Sequence, residues 1–415
     1  MTPCVPARVL LASVLLGAGL VGCTSPASST AAGEQVVGAT PGPSGVIAIG
    51  TGVAANLSHP EAYAYVVLNA WDQPTCRRLK AANPLLKCLV YKDAASARSY
   101  PGAYDRATDA DGRLLPTGVG YAEARRHDRA RPDDPWFLLD TTGHWVQWDG
   151  YPGFWQLDIG SPSYQLRWRT AVASELAATG WDGVAVDNVS AIPGYLAGRA
   201  LARYPDGLHY QAAMERFLDA TAPAITATGK LYVANIANTD PELFAAWASK
   251  GSGGLLEYWI GRDAPLPAGR LRCGRTWDWL SSYQIDTQAA GKVFFGHATQ
   301  QPGGPPTDQA QIRYERASFL VSWSGGASAS FYSTGTAADP YTSDATVNVG
   351  QPIEPKQAVD GGGFVRRYTR GIAIVNRSCS GTVTFELDGA YRRPDGVLVS
   401  SAVLSGPSGM TLTRP

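Results

Sequence analysis

The chain has 415 residues, of which 45% are hydrophobic and 17% charged, so it can bury a sizeable core and is not a disordered protein. Lys plus Arg number 35 and Asp plus Glu number 35, which gives a formal net charge of +0. This balance provides no basic stripe for nucleic acid and no acidic tail for a cationic partner, so we expect neither.

The first residues predict an export signal rather than part of the fold. Arg8 precedes the apolar run VLLASVLLGAGL, which is too short to cross a bilayer as a permanent helix. The segment LVGC that follows matches a lipobox, in which Cys23 is lipidated; an ordinary cleaved signal peptide with a chance cysteine is the alternative. We therefore expect a lipoprotein signal peptide over residues 1–22, a flexible tether over 23–58, and an extracytoplasmic protein held to a membrane through Cys23.

From residue 59 onwards, short apolar runs alternate with longer amphipathic ones. Eight runs predict strands, over residues 65–71, 87–93, 154–159, 182–188, 231–238, 254–259, 293–299 and 328–334. The segments between them have helical spacing, and one opens with Asp240 as an N-cap and Pro241 in the first turn. This rhythm predicts an α/β fold, a (β/α)8 TIM barrel over residues 59–340. A doubly wound open sheet competes, but its glycine-rich phosphate turn is missing after the early strands.

Two segments depart from the barrel pattern. Residues 94–153 form a long insertion rich in Gly, Asp, Pro and Trp, which a barrel tolerates as a loop on its catalytic face. After the barrel, the sequence changes to short strands and turns, which predicts a small all-β domain over residues 341–415.

Four cysteines remain once Cys4 and Cys23 are assigned to the leader. Their spacing matches no zinc pattern, and export permits disulfides. Cys76 and Cys88 flank a short helical stretch, so we expect them to pair. Cys273 and Cys379 would then join the late barrel to the C-terminal region.

Acidic side chains lie at the ends of two predicted barrel strands. In the strand over 182–188, alternation places Gly183, Ala185 and Asp187 on the face that suits a crowded lumen. In the strand over 254–259, the same alternation places Glu257 near the carboxyl end. These are the fourth and sixth predicted strands, with backbones about 10 Å apart, so the two carboxylates can approach the separation used by glycosidases. Retention and inversion both remain open.

Other strand ends supply amide, carboxylate and aromatic side chains, which offer hydroxyl-binding edges and stacking faces to a sugar. These candidate substrate-binding residues are Asn69, Trp71, Tyr91, Asp93, Asp158, Asn188, Asn235, Tyr258 and Trp259.

The segments GWDGVAVDNV, LYVANIAN and GGLLEYW resemble the (β/α)8 glycoside-hydrolase-like families of bacterial lipoproteins, and are more distantly similar to polygalactosaminidase and α-galactosidase-type barrels. The resemblance implies that Asp187 and Glu257 are the catalytic pair. It also implies that WQLDIGSPSYQ is the third-strand motif, which places Asp158 near the sugar, and that the tail is a β-sandwich.

Three functions are compared on this basis. A glycosidase would use Asp187 as nucleophile or charge stabiliser and Glu257 as general acid/base on an extracellular oligo- or polysaccharide. A non-catalytic carbohydrate-binding lipoprotein would keep the cleft but would be free to lose the acid pair. A metal-dependent hydrolase ranks last, because the five histidines are scattered without a ligand motif. No phosphate loop, dinucleotide turn or nucleophile elbow occurs, so we expect no cofactor. Oligomeric state is left open.

Overall fold

Strands and helices alternate along the chain up to residue 333, as the apolar rhythm of the sequence predicts. The structure, a computed structural model, describes residues 47–49, 57–100, 115–194, 196, 198–262, 270–299, 308–333 and 346–415. Within these ranges no helix is long and apolar enough to cross a membrane.

Eight parallel strands form the main sheet. In chain order the strands of this region are β1 (Ile47–Ile49), β2 (Tyr65–Leu68), β3 (Lys87–Asp93), β4 (Ser96–Arg98), β5 (Phe154–Gln156), β6 (Gly183–Ser190), β7 (Leu231–Ala237), β8 (Gly253–Glu257), β9 (Val293–Thr299) and β10 (Ala329–Ser333). The sheet order is β1-β2-β3-β6-β7-β8-β9-β10, and contacts between β1 and β10 bring its two edges together. The predicted (β/α)8 barrel is confirmed.

Helices cover the outer face of the sheet. They are α1 (Gln73–Ala82), α2 (Tyr121–Ala130), α3 (Pro162–Ala178), α4 (Gly207–Thr226), α5 (Pro241–Lys250), α6 (Gly274–Ala289) and α7 (Gln309–Ser322). Four of them start at a side chain that accepts a backbone N–H three residues on, as N-caps do: Ser161, Asp206, Asp240 and Asp308. The N-cap predicted at Asp240 is among them.

One predicted barrel strand does not belong to the barrel, and one barrel strand lies in the segment predicted as tether. The two errors leave the number of barrel strands at eight. The segment predicted as a third barrel strand over 154–159 contributes β5, which pairs antiparallel with β4 inside the insertion. The first barrel strand is instead β1, in the stretch predicted as tether, where it pairs with β2. A strand of three residues between Gly- and Pro-rich flanks is too short to show the alternation of apolar and polar residues that identifies a strand. A short apolar run, for its part, does not indicate to which of two sheets a strand belongs. Asp187 and Glu257 therefore still lie on the fourth and sixth barrel strands.

An antiparallel sheet follows the barrel, as the C-terminal pattern predicts. Its strands are β11 (Gln357–Val359), β12 (Gly363–Tyr368), β13 (Gly371–Asn376), β14 (Thr382–Arg392), β15 (Leu398–Ser405) and β16 (Ser408–Thr413), in the order β11-β12-β13-β16-β14-β15. Buried residues alternate with exposed ones at the start of β14, where Val383 and Phe385 enter a core shared with Ile372, Ile374 and Leu412.

This C-terminal sheet packs on the barrel through α6 and α7. Tyr368, Ala373 and Val375 belong to the same apolar cluster as the barrel core. The rings of Trp277 and Phe364 stack at 5.5 Å, and a Cβ on Gly409 would lie 2.7 Å from Ala317 Cβ. Part of the C-terminal sheet therefore lies in the barrel core, while the sheet also has a second apolar cluster of its own.

Both predicted disulfides are present. Cys76 and Cys88 join α1 to the start of β3, with their Cα atoms 6.1 Å apart. Cys273 and Cys379 join the N-cap of α6 to the segment after β13, with their Cα atoms 5.1 Å apart. The first bridge lies at the amino end of the barrel strands and the second at the carboxyl end.

Candidate active site

Neighbouring strands present polar side chains to the barrel lumen at their carboxyl ends. In the parallel ladder Asp187 is in register with Asp93, and Glu257 with His297. Registered residues of a parallel sheet face the same side, and Tyr65 and Phe295 mark that side as the interior because their rings meet at 4.7 Å across the barrel. The inward orientation predicted for Asp187 and Glu257 agrees with this register.

Asp187 accepts hydrogen bonds from three different elements. The Tyr91 hydroxyl of β3 donates to Oδ2 at 2.5 Å, and Asn235 Nδ2 of β7 donates to Oδ1 at 2.8 Å. The backbone N–H of Asn188 donates to Oδ1 at 2.8 Å. These donors fix the orientation of the carboxylate.

Asn235 joins Asp187 to Glu257. Its amide also donates to the Glu257 carboxylate. Asn235 lies on β7, the strand between β6 and β8, and is thus a common hydrogen-bond partner of the two acids.

Glu257 is held as a carboxylic acid at neutral pH. Burial raises its pKa from 4.5 to about 8, the negative charge of Asp187 adds to that rise, and the Asn235 hydrogen bond opposes it. Two neighbouring carboxylates with separated roles, one proton donor and one anion, are the arrangement that acid–base chemistry requires.

The backbone turns sharply after each of the two acids. Asn188 has φ 61° and Tyr258 has φ 54°, both in the left-handed region. Asparagine tolerates this conformation, whereas a tyrosine there is strained and persists only where its surroundings impose it. At Asn188 the ladder between β6 and β7 also shifts register, which directs its side chain to Asp93 at 2.8 Å.

Behind Asp187, a second group of side chains supports Tyr91. Asp93 is 1% exposed and accepts hydrogen bonds from Ser96 Oγ, the Ala95 N–H and Asn188 Nδ2. Arg98 lies 3.2 Å from the Tyr91 hydroxyl and 3.8 Å from Asp93. Burial and the charge of Asp187 raise the pKa of Asp93, which Arg98 opposes; the same two causes raise the pKa of Tyr91 well above 10.

Three predicted sugar-binding residues are corrected by their surroundings. Trp259 is 0% exposed, donates to the Leu280 carbonyl at 2.7 Å and packs on Phe294 outside the lumen, so no sugar can reach it. Asp158 lies in the insertion, where Arg203, Tyr204 and the Gly160 N–H occupy its carboxylate. Asp93 is buried among its protein donors and orients Asn188 instead of meeting substrate.

The sugar-binding role of the other predicted residues stays a prediction. Tyr91, Asn188, Asn235 and Tyr258 are partly exposed around the two acids. Asn69 is buried at the residue after β2, and Trp71 is half-buried in the short 3-10 turn that follows.

Two residues of this region are missing from the sequence prediction. Arg98 follows β3 by five positions inside the insertion, and nothing local distinguishes it there. His297 faces the lumen from β9, and burial lowers its pKa from 6.5 to about 4, so it is neutral at pH 7. Alternation along β9 places His297 on the same inward face as Phe295, a signal in the sequence that is independent of any metal-binding motif. Within the described residues, no cluster of three or more acidic, His or Cys side chains could hold a metal ion.

A barrel with two acids at the ends of its fourth and sixth strands, one of them protonated, has the architecture of a glycoside hydrolase. The chain belongs to hypothetical glycosyl hydrolase family 15, whose sequence profile matches residues 80–372. No curated protein sequence matches it.

Several solved structures are similar to the chain at low identity. The glycoside hydrolase domain of PelA from Pseudomonas aeruginosa is 15% identical over 71% of this chain and 96% of its own, with a TM-score of 0.43. Ega3 from Aspergillus fumigatus, in complex with galactosamine, is 14% identical over 73% and 97%, with a TM-score of 0.40. A maltogenic α-amylase, AmyB from Thermotoga neapolitana, is 9% identical over 90% and 99%, with a TM-score of 0.49.

Proposed function

We propose that the protein hydrolyses O-glycosidic bonds of an oligo- or polysaccharide with Asp187 and Glu257 as its catalytic pair. The observation that carries this proposal is that both acids contact one side chain, Asn235, while Glu257 keeps its proton at neutral pH. Two acids held around one amide favour retention of anomeric configuration, because an inverting pair leaves room for a water between the acids.

The roles follow from the surroundings of each acid. Glu257 keeps its proton at neutral pH and gives it to the glycosidic oxygen as the bond to the leaving sugar breaks. Asp187, oriented by Tyr91, Asn188 and Asn235, attacks the anomeric carbon and forms a glycosyl ester. Glu257, now ionised, takes a proton from water, whose oxygen attacks the same carbon and releases Asp187.

Turnover and its stereochemistry test the proposal. The full chain is screened against a panel of glycans, and the anomer first released is identified by proton NMR. We expect retention, a loss of about 10²–10⁴-fold in kcat for Glu257→Gln, and partial recovery of that variant on an aryl glycoside whose leaving group needs no proton. Asp187→Asn should lose activity on both substrates.

A buried glutamate outside the site provides the matched control. Glu315 on α7 is 2% exposed, and burial raises its pKa to about 8, as for Glu257. Glu315→Gln should retain activity. Binding of a glycan without turnover by the wild type, or an inverted product, would contradict the catalytic proposal; the first result would favour the sugar-binding alternative.

We further propose that the protein is exported and held to a membrane by a lipid on Cys23, which lies outside the described residues. The lipobox and the two disulfides support export, since such bonds persist in oxidising compartments. Cys23→Ala should release the protein from membranes or block its maturation, as membrane fractionation and intact mass would show. An unchanged mass and unchanged membrane association would exclude the anchor.

A further inference from the structure

The side chain of Arg272 binds the backbone of the chain that leaves β8. Arg272 Nη1 donates to the carbonyl of Trp259 at 2.9 Å and to the carbonyl of Tyr258. Tyr258 is the left-handed residue that follows Glu257 directly. The guanidinium therefore binds the backbone at the strained position next to the catalytic acid.

Arg272 is itself held on both sides of its backbone. Its N–H donates to the Gly261 carbonyl at 2.9 Å, and its carbonyl accepts the Tyr314 hydroxyl of α7 at 2.8 Å. A bridge between Arg262 and Leu271 joins the same two stretches of chain. These contacts pair the chain before the loop after β8, at Gly261 and Arg262, with the chain after it, at Leu271 and Arg272.

The C-terminal sheet fixes the end of this paired segment. Cys273, next to Arg272, forms the disulfide with Cys379. The N–H of Gly274 donates to the Arg377 carbonyl at 2.7 Å, and Arg377 pairs with Asp278 of α6 at 3.1 Å. An unbroken series of covalent and polar contacts thus runs from β13 to the residue beside Glu257.

We propose that Arg272 is a positioning residue for Glu257, and that the Cys273–Cys379 disulfide makes the C-terminal sheet a structural part of the active site. This inference rests on the proposed catalytic role of Glu257. A tyrosine adopts φ 54° only where neighbours impose it, and Arg272 provides two charge-assisted hydrogen bonds that do so. Without them Tyr258 relaxes to an extended or helical conformation, and the Glu257 side chain turns with it.

The pKa of Glu257 reports this change without a substrate. Its neighbours are Asp187 on β6, Asn235 on β7 and His297 on β9, with Tyr91, Asp93 and Arg98 behind Asp187. All of these stay in place when the loop after β8 loosens. More water then surrounds Glu257, which is already partly exposed, and its pKa should fall from about 8 towards its ordinary value of 4.5.

The test compares two variants with matched controls. Arg272→Lys keeps the positive charge but loses the planar guanidinium that binds the two carbonyls. Cys273→Ser with Cys379→Ser removes the disulfide to the C-terminal sheet. Arg366→Lys is the first control, because Arg366 donates to the carbonyls of Glu354 and Val321 between α7 and the C-terminal sheet without touching β8. Cys76→Ser with Cys88→Ser is the second, since that disulfide lies at the opposite end of the barrel.

The midpoint of Glu257 is measured by 13C NMR of its side-chain carboxyl, assigned with Glu257→Gln, at a temperature where circular dichroism shows each full-length variant folded. We expect the midpoint to fall by at least about one pH unit in both test variants and to stay unchanged in both controls. On a substrate found in the glycan screen, kcat should fall about 10²-fold with a smaller change in KM, the cost of a small misplacement of a catalytic group.

An unchanged Glu257 midpoint in folded Arg272→Lys and in the folded cysteine variant would overturn the inference, as would an equal shift in the controls. A shifted midpoint in a protein that hydrolyses no glycan would instead support the positioning of Glu257 and contradict the proposed function. The two failures therefore give different results.

Discussion

At the scale of single residues, the two acids of the site are each followed by a residue in the left-handed conformation. Asn188 interrupts the regular extension of β6 directly after Asp187, and Tyr258 follows Glu257, the last residue of β8. Strain of this kind costs about 1–3 kcal/mol per residue and has to be offset by the rest of the fold. Stability has therefore been given up at the same two positions where the proposed chemistry takes place.

Ionisation of Glu257 should lower the stability of the folded protein at high pH. Its pKa is raised in the folded state, so the contribution of the protonated side chain to the free energy of unfolding is fully present below about pH 4.5. That contribution is lost as the pH rises through about 8. Glutamine cannot ionise. Glu257→Gln should thus exceed the wild type in free energy of unfolding by about 2–4 kcal/mol at pH 9, and by less than about 1 kcal/mol at pH 5.

Urea unfolding at the two pH values measures this difference. Glu315→Gln should show a gain of the same sign, because burial raises the pKa of Glu315 in the same direction. Parallel pH profiles for wild type and Glu257→Gln would show that Glu257 ionises freely in the folded protein, against the prediction.

At the scale of elements, the sequence predicted best where a strand is long and apolar on both faces. β3, β6, β7 and β9 each have seven or eight residues, and their patterns gave bounds within two residues. Alternation then sufficed to predict that Asp187 and Glu257 face the lumen, whereas Asn235 was predicted only as a polar residue near a strand end. It could not find Arg98, whose position depends on the pairing of β4 with β5, nor reject Trp259, because burial behind the sheet depends on helix packing that no local pattern encodes.

Close approach of neighbouring strands gives a test of the sheet. A Cβ on Gly253 would lie 2.0 Å from the Val293 carbonyl oxygen of β9, so the backbone of β8 or β9 must move in Gly253→Ala. We expect a loss of about 1–3 kcal/mol in the free energy of unfolding. Gly180→Ala is the control, because nothing lies within 4 Å of its Cβ; it should change stability by less than about 0.5 kcal/mol. Equal stabilities in urea would refute the tight pairing.

At the scale of the whole molecule, the barrel and the C-terminal sheet behave as one folding unit because they share a core. Tyr368 donates to the Leu320 carbonyl of α7, and its ring stacks on Trp323 at 6.3 Å. A chain that ends at residue 340 keeps every barrel strand but uncovers this side of α7. The C-terminal sheet beyond the predicted boundary has its own apolar cluster, but Tyr368, Ala373 and Val375 are buried in the barrel core.

Truncation tests that unity. The fragment over residues 47–340 should bind the dye ANS and lose the cooperative unfolding transition, whereas residues 47–415 should keep a single sharp transition in near-ultraviolet circular dichroism. A fragment that unfolds cooperatively at the same temperature as the longer chain would show that the barrel stands alone.

The crossover from β3 to β6 contributes surroundings of the site, whereas the barrel strands β6 and β8 carry Asp187 and Glu257. β4, α2 and β5 all lie in this one stretch, which is tied to the barrel by backbone hydrogen bonds from Asp93 to Pro116 and from Ala94 to Asp187. It gives Arg98 to the site, yet neither Asp187 nor Glu257 lies in it. Under the proposed function, exchange of this single contiguous stretch over evolutionary time would change the surroundings of the site and leave the two acids on their own strands.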